Sequence, residues 1–192
     1  MSQRAAQKAE SRAAILRAAA GLLRDKGIPG MSVERAMAGA GLTVGAFYAH
    51  FSGKDELLEE SFTRALEEVG EVMDEGVAGR TGRAALLDAA SWYLSEEHRD
   101  RAKRGCPMPA VAASTLPSGG RSLHKLVARG LETLAERTFR IGGGEVTTER
   151  ALALAVLMIG GQIVARATRG SPTSSKVLVA CREAAAALLA SG

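Results

Sequence analysis

Residue types that build enzyme centres are scarce in this chain of 192 residues. It holds three histidines (His50, His98, His124) and two cysteines (Cys106, Cys181). None forms an HExxH pair or a CxxC unit, and neither GxSxG nor GxxxxGK followed by Ser or Thr occurs, so zinc hydrolysis, serine-hydrolase chemistry and a P-loop lack their residues. GAGLTVG has the look of a dinucleotide loop but the wrong glycine spacing, and it lies between helical patterns rather than after a strand. No catalytic residue, metal or cofactor is expected, and the chain does not read as an enzyme. His98 and His124 read as structural or surface histidines. Two cysteines and no secretory apolar stretch at MSQRAAQKAE predict a reducing, cytoplasmic setting without a disulfide. The longest apolar run, Ala151 to Ala165, is broken by Gln162 and falls short of the roughly 20 residues a membrane span needs. It predicts a buried helix and no membrane partner. Strand-like alternation, repeats and low-complexity linkers are absent as well.

With aromatics at 4% and an apolar fraction of 46%, the core must be built from Ala, Leu and Val between closely spaced helices, which predicts an all-α fold. Charge is distributed unevenly. Residues 1 to 54 carry eight Lys/Arg against three acids, a balance of +5, while the remainder stands at −1. A basic terminus alone is ordinarily just a solvated face. Combined with a segment shaped to enter a groove, it makes nucleic acid the natural counterion.

Such a segment is present at residues 31 to 58, MSVERAMAGAGLTVGAFYAHFSGKDELL. Ser32 is placed to cap a helix with Val33, Ala36, Met37 and Ala40 at helical spacing, and Gly41 supplies the left-handed residue that ends it. Thr43 is expected to cap the next helix, where Phe47 and Phe51 share an inward face and Val44, Gly45, Tyr48 and Ala49 point elsewhere. Ser52-Gly53-Lys54-Asp55 has capping-box spacing with Asp as the reciprocal residue. Before this segment, Ile15, Leu16, Ala19, Leu22 and Leu23 define a first helix from Ser11, stopped by Gly27 and Pro29, with residues 1 to 10 expected to fray. Three helices in this order form a helix-turn-helix unit that puts one helix into the major groove.

GAFYAHF followed by SGKDELL resembles the N-terminal DNA-binding domain of the TetR family of bacterial transcriptional regulators, with Tyr48, Phe51 and Lys54 in a characteristic spacing. The close resemblance covers about the first third of the chain; further on, YLSEEHRD and RGCPMPA resemble one branch of the family. The resemblance implies a homodimeric repressor bound to a double-stranded DNA operator and released by a small-molecule effector. Its DNA-binding domain would span residues 1–53 and its effector-binding and dimerisation domain residues 54–192. Thr43, Val44, Gly45, Ala46 and Tyr48 would face the groove, with Tyr48, His50, Lys54 and Ser32 on phosphates. Amides at the starts of the Ser32 and Thr43 helices suit phosphate oxygens. Two departures stand out. Val44 replaces a longer polar residue and can touch a thymine methyl but cannot read guanine, and Ala36-Met37 stands where Ile-Ala is usual.

Beyond a helix over about 53 to 76, expected to link the DNA-reading unit to an effector site, helices are predicted over roughly 81–98, 108–115, 120–140, 146–169 and 174–190. ALALAVLMIGGQIVA is apolar nearly all round, which fits a helix covered on two sides. Periodicity alone equally fits a central helix of a monomer core. The DNA-reading unit favours a second subunit, and Leu152, Val156, Ile159, Gly160, Ile163, Val177 and Leu188 are the interface candidates. Trp92, Tyr93, Cys106 and Met108 are residue types that line pockets, with Phe62, Leu116, Phe139 and Met158 as further candidates, and a helix core competes with that reading. Few charges fall on this lining, which suggests an apolar or aromatic effector. Arg99, Arg101, Lys103 and Arg104 before Cys106 would favour a reactive thiolate; a small residue fixed in a Gly-Cys-Pro turn is the simpler alternative. The rival reading overall is a helical protein-interaction or DNA-compacting module without a ligand.

Overall fold

Ser2 opens the first helix by accepting the Ala5 amide on its Oγ at 3.3 Å, and α1 then runs Gln3–Gly30. In the computed structural model, which describes residues 2–115 and 120–190, residues 3 to 10 are therefore helical rather than frayed. The cap and an Ala-rich stretch free of Gly and Pro account for the difference. The predicted stop is kept. Gly27 adopts φ +63°, and the turn through Pro29 is set off by that kink.

Ser32 Oγ accepts the Arg35 amide at 3.3 Å and starts α2, Val33–Gly39. Gly41, at φ +71°, turns the chain. The next element, η1, Val44–Ala49, is a 3-10 helix rather than an α-helix, and the Thr43 side chain caps nothing. Its bonds run Ala46 N to Thr43 O and His50 N to Phe47 O, the tighter pattern common in short pieces. Helix α3, Lys54–Val77, begins differently from expectation too: Glu56, not Asp55, is the reciprocal residue, its Oε2 accepting both Ser52 N and Ser52 Oγ at 2.6 Å. One position further into the helix, Glu56 can fold back over the Gly53 cap.

The rest comprises α4 (Arg83–Tyr93), α5 (Glu96–Asp100), η2 (Ala102–Arg104), α6 (Met108–Thr115), α7 (Arg121–Gly142), α8 (Thr148–Ala167) and α9 (Pro172–Ala190). No strand occurs among the described residues. The stretch read as one helix over 81–98 is broken at Leu94, and Ser95 recaps the chain by accepting the His98 amide at 3.0 Å.

Helix α1 joins the first three elements to the rest by packing on α3, α6 and η2. Along α3, Arg24 donates to the carbonyl of Ala65 at 3.1 Å and to Glu68 at 2.6 Å. Along α6, Ile28 N donates to Ser114 Oγ at 3.1 Å, and Gly27 lies so close that a Cβ there would sit 2.6 Å from the Ala110 carbonyl oxygen. Only the α3 link was expected from the sequence.

Helix α8 explains its own composition. Ala151, Leu154, Ala155 and Met158 are fully buried in the core, while Leu152, Val156 and Val164 on its other side are exposed. By length and apolarity α8 could cross a membrane, but its inner half is core. Gly161 admits α9, since a Cβ there would meet Cys181 Sγ and Leu94 Cδ2 at 2.9 Å; Gly160 faces open space.

Candidate nucleic-acid interface and helical cavities

The two aromatic positions of η1 part company in space. Phe47 is 2% exposed and stacks on Phe51 at 5.6 Å, anchoring the segment in the core, while the adjacent Tyr48 is 78% exposed. Tyr48 meets Phe47 only edge-on, at 5.3 Å. Thr43, Val44 and Gly45 are exposed on the same segment, Ala46 is half-buried, and Lys54 is exposed in the first turn of α3. Ala36 and Met37 are wholly buried, so the unusual pair is accommodated as core. Ser32 is half-buried, its Oγ engaged by Arg35. It also lowers the Glu34 carboxyl pKa by hydrogen bonding. His50 is half-buried, with Nδ1 enclosed and unpartnered.

What fixes this surface was not legible from local motifs. Arg12 of α1 donates Nε to the His50 carbonyl at 3.3 Å, and its two terminal nitrogens meet Glu60 at 2.5 and 2.6 Å. It also reaches Glu56 at 3.3 Å, and its guanidinium lies 4.6 Å from the centre of the Phe51 ring. The Glu60 hydrogen bond raises the Arg12 pKa.

The residues proposed for a single effector pocket occupy several places. Phe62 and Met108 converge on Gly130, where a Cβ would lie 2.5 Å from Met108 Sδ and 2.7 Å from Phe62 Cζ. Beside them a cavity of about 240 Å³ is lined by Phe62, Leu66, Glu67, Leu126, Arg129, Gly130 and Thr133. A cleft of about 520 Å³ between α3 and α7 shares Leu126 and Arg129 with it and adds Asp55, Glu59 and Lys125. This lining is more charged than the sequence suggested, because α7 presents its polar flank at the mouth. Leu66, Leu126, Arg129 and Thr133 were missed: they belong to two helices about 60 residues apart, and no local pattern links them.

Trp92, Tyr93 and Cys106 belong to a different, densely filled cluster around His98. The imidazole stacks on Trp92 at 5.0 Å and meets Tyr93 at 4.5 Å. Its Nε2 accepts the Cys106 amide at 2.9 Å, so the proton resides on Nδ1, which donates to the Tyr93 carbonyl at 2.6 Å. Burial, reinforced by nearby Arg166, lowers its pKa to about 4. His98 is thus a satisfied structural histidine, and His124 is exposed.

Of the two readings of Cys106, the structure favours the small buried residue over the reactive thiolate. The side chain is fully buried, and burial raises its pKa. The preceding cations turn elsewhere: Arg99 pairs with Asp100, Arg101 with Glu97, and Lys103 and Arg104 face solvent. Phe139 does not line an interior site either, being 42% exposed; Met158 is buried core, and Leu116 lies outside the described residues.

Among the interface candidates, Leu152 and Val156 are exposed and Gly160, Ile163, Val177 and Leu188 half-buried. Ile159 is a correction, since it turns into the chain's own core. Val164 and Val179 on α8 and α9 are exposed apolar residues that were not among the candidates, and Phe139 on α7, expected in the pocket, is exposed like them.

Residues 15–61 match the family described as bacterial regulatory proteins, tetR family. No curated protein matches the sequence. Solved structures do. A TetR transcriptional regulator from Chloroflexus aurantiacus is similar at a TM-score of 0.73 and 24% identity, with 96% of each chain covered. A TetR-family regulator from Cytophaga hutchinsonii gives 0.75 at 20% identity, covering 96% of this chain and 95% of that one. The reduced form of NemR from E. coli gives 0.70 at 16%, covering 90% and 95%.

Proposed function

This chain carries the DNA-binding domain of the tetR family of bacterial regulatory proteins on the fold of TetR-type regulators, and from that premise we infer that it is a homodimeric, cytoplasmic repressor released from a palindromic operator by a small effector. It is a DNA-binding regulator, not an enzyme. The observation that carries the reading is the division of η1 into a buried Phe47 and a Tyr48 left 78% exposed. A short element anchored on one side by aromatic packing holds its other side rigid for a groove. Thr43, Val44, Gly45 and Ala46 would lie at base edges, with Tyr48, His50, Lys54 and Ser32 at phosphates.

The division of labour at about residue 53 belongs to the same proposal. The apolar residues left exposed on α7, α8 and α9 support a paired subunit, which would set two recognition segments about 34–36 Å apart, one helical turn of DNA. The cavity floored by Phe62, Leu66 and Leu126 supports an apolar or aromatic effector. Such a ligand shifts the equilibrium only through unequal affinity for the DNA-competent and DNA-incompetent spacings. Both α3 and the α1–α6 seam would transmit it.

Selection from random duplexes at low salt tests this. Enrichment of a two-fold symmetric site by the wild type, lost in Tyr48→Ala with unchanged thermal stability, is the expected result. Retention of no duplex would defeat the reading, and sequence-indifferent retention would favour a DNA-compacting module instead.

A further inference from the structure

The first turns of α1 contribute nothing to the core: every residue from Ser2 to Glu10 is exposed. They are nonetheless ordered as helix and lie beside the recognition element, enclosing with Ala49 and His50 a groove of about 630 Å³. Its α1 wall is formed by Gln3, Arg4, Gln7 and Lys8, and no carboxylate lines it. The charge pattern along α1 changes at this point. Where the helix faces α3, its arginines are paired, Arg12 with Glu56 and Glu60 and Arg24 with Glu68. Where it faces the end of η1, Arg4 and Lys8 have no acidic partner among the described residues.

We propose that this groove is a second DNA-backbone site, in which Arg4 and Lys8 neutralise phosphates flanking the half-site while Gln3 and Gln7 donate to their oxygens. The inference rests on the DNA-binding reading above and extends it to residues that lie outside the helix-turn-helix. Three features fit a sugar-phosphate strand in particular. Apart from Ala49 the lining residues of the groove are Ser, Gln, Arg, Lys and His, so no large apolar side chain in it calls for a protein or lipid. It adjoins Tyr48 and His50, so a strand tracking past them runs into it. The Arg12 bond to the His50 carbonyl ties α1 to the recognition element, so the groove keeps its shape without DNA. Backbone contacts of this kind position the protein and carry no sequence information.

The test compares full-length wild type with the double variant Arg4→Gln, Lys8→Gln on the selected duplex and on a scrambled one, with salt varied from 50 to 200 mM. Each lost phosphate contact lowers the slope of log affinity against log salt by about 0.9. The double variant should therefore lose about two from the slope per bound chain, weakening its salt dependence over this range by roughly tenfold per chain. Affinity for both duplexes should fall by the same factor, and the melting temperature should not move. Arg4→Lys should keep the wild-type slope. An unchanged slope in the double variant overturns the groove assignment while leaving the DNA reading intact. Loss of affinity for the selected duplex alone overturns it as well, since that marks base contact. If the wild type binds neither duplex, the DNA reading itself falls and the groove with it.

Discussion

Arg12 and His50 are 38 residues apart in sequence, and the guanidinium of one holds the backbone carbonyl of the other at 3.3 Å. This single side chain ties the first helix, the end of η1 and the first turns of α3 into one body. Replacing Arg12 with Ala removes charge-assisted hydrogen bonds and a cation–π contact. A stability loss of about 1–2 kcal/mol is expected, the half-exposed carboxylates limiting it. Chemical denaturation measures the loss; operator affinity should fall with it, because His50 and Tyr48 lose their fixed position. A variant as stable as the wild type would show that the network is screened away.

Gly27 and Gly21 lie on one helix and should respond oppositely to alanine. At Gly27 a Cβ would strike the Ala110 carbonyl and Ser114 Oγ, both at 2.6 Å, from a backbone at φ +63°. Gly27→Ala should cost about 2–4 kcal/mol and loosen the α1–α6 seam. At Gly21 nothing lies within 4 Å, so Gly21→Ala should stabilise by roughly 0.5–1 kcal/mol. Urea midpoints for the pair decide it, and equal shifts would contradict the seam as described.

His98 makes stability depend on acid. Its folded pKa of about 4 lies below the ordinary 6.5, chiefly through burial. Between those two pH values the unfolded chain binds a proton that the native chain refuses, so stability is full above about pH 6.5 and declines as pH falls towards 4. The loss across that window is on the order of 3 kcal/mol. His98→Gln should flatten this part of the pH profile, whatever it does to stability at neutral pH. A slope that survives the substitution would assign the effect to other groups.

The two thiols should react in an order opposite to that suggested by the basic run before Cys106. Cys106 is fully buried, whereas Cys181 is half-buried. Alkylation of the native protein should label Cys181 first and reach Cys106 at a rate limited by unfolding. Peptide mapping over time reads the order, and prompt labelling of Cys106 would restore its candidacy as a sensor.

Local chemistry was readable wherever a few neighbouring residues settle the outcome. Ser32, Gly41 and the pair Phe47 and Phe51 determined by themselves a helix, a turn and an anchored segment, and the uneven charge pointed to nucleic acid. The near-continuous apolarity of α8 led to the expectation of two covered sides; the core covers one, and Leu152, Val156 and Val164 on the other are exposed. Tertiary structure alone decided the rest. Whether η1 is 3-10 or α-helical depends on how Phe47 seats in the core, and the order of residues 3 to 10 places Arg4 and Lys8 beside His50. The cavity at Phe62, Gly130 and Met108 is made by helices distant in sequence. Cys106 is the clearest case, because a charge run fixes only which residues are neighbours along the chain, while burial and the direction of each side chain fix which field the sulfur feels.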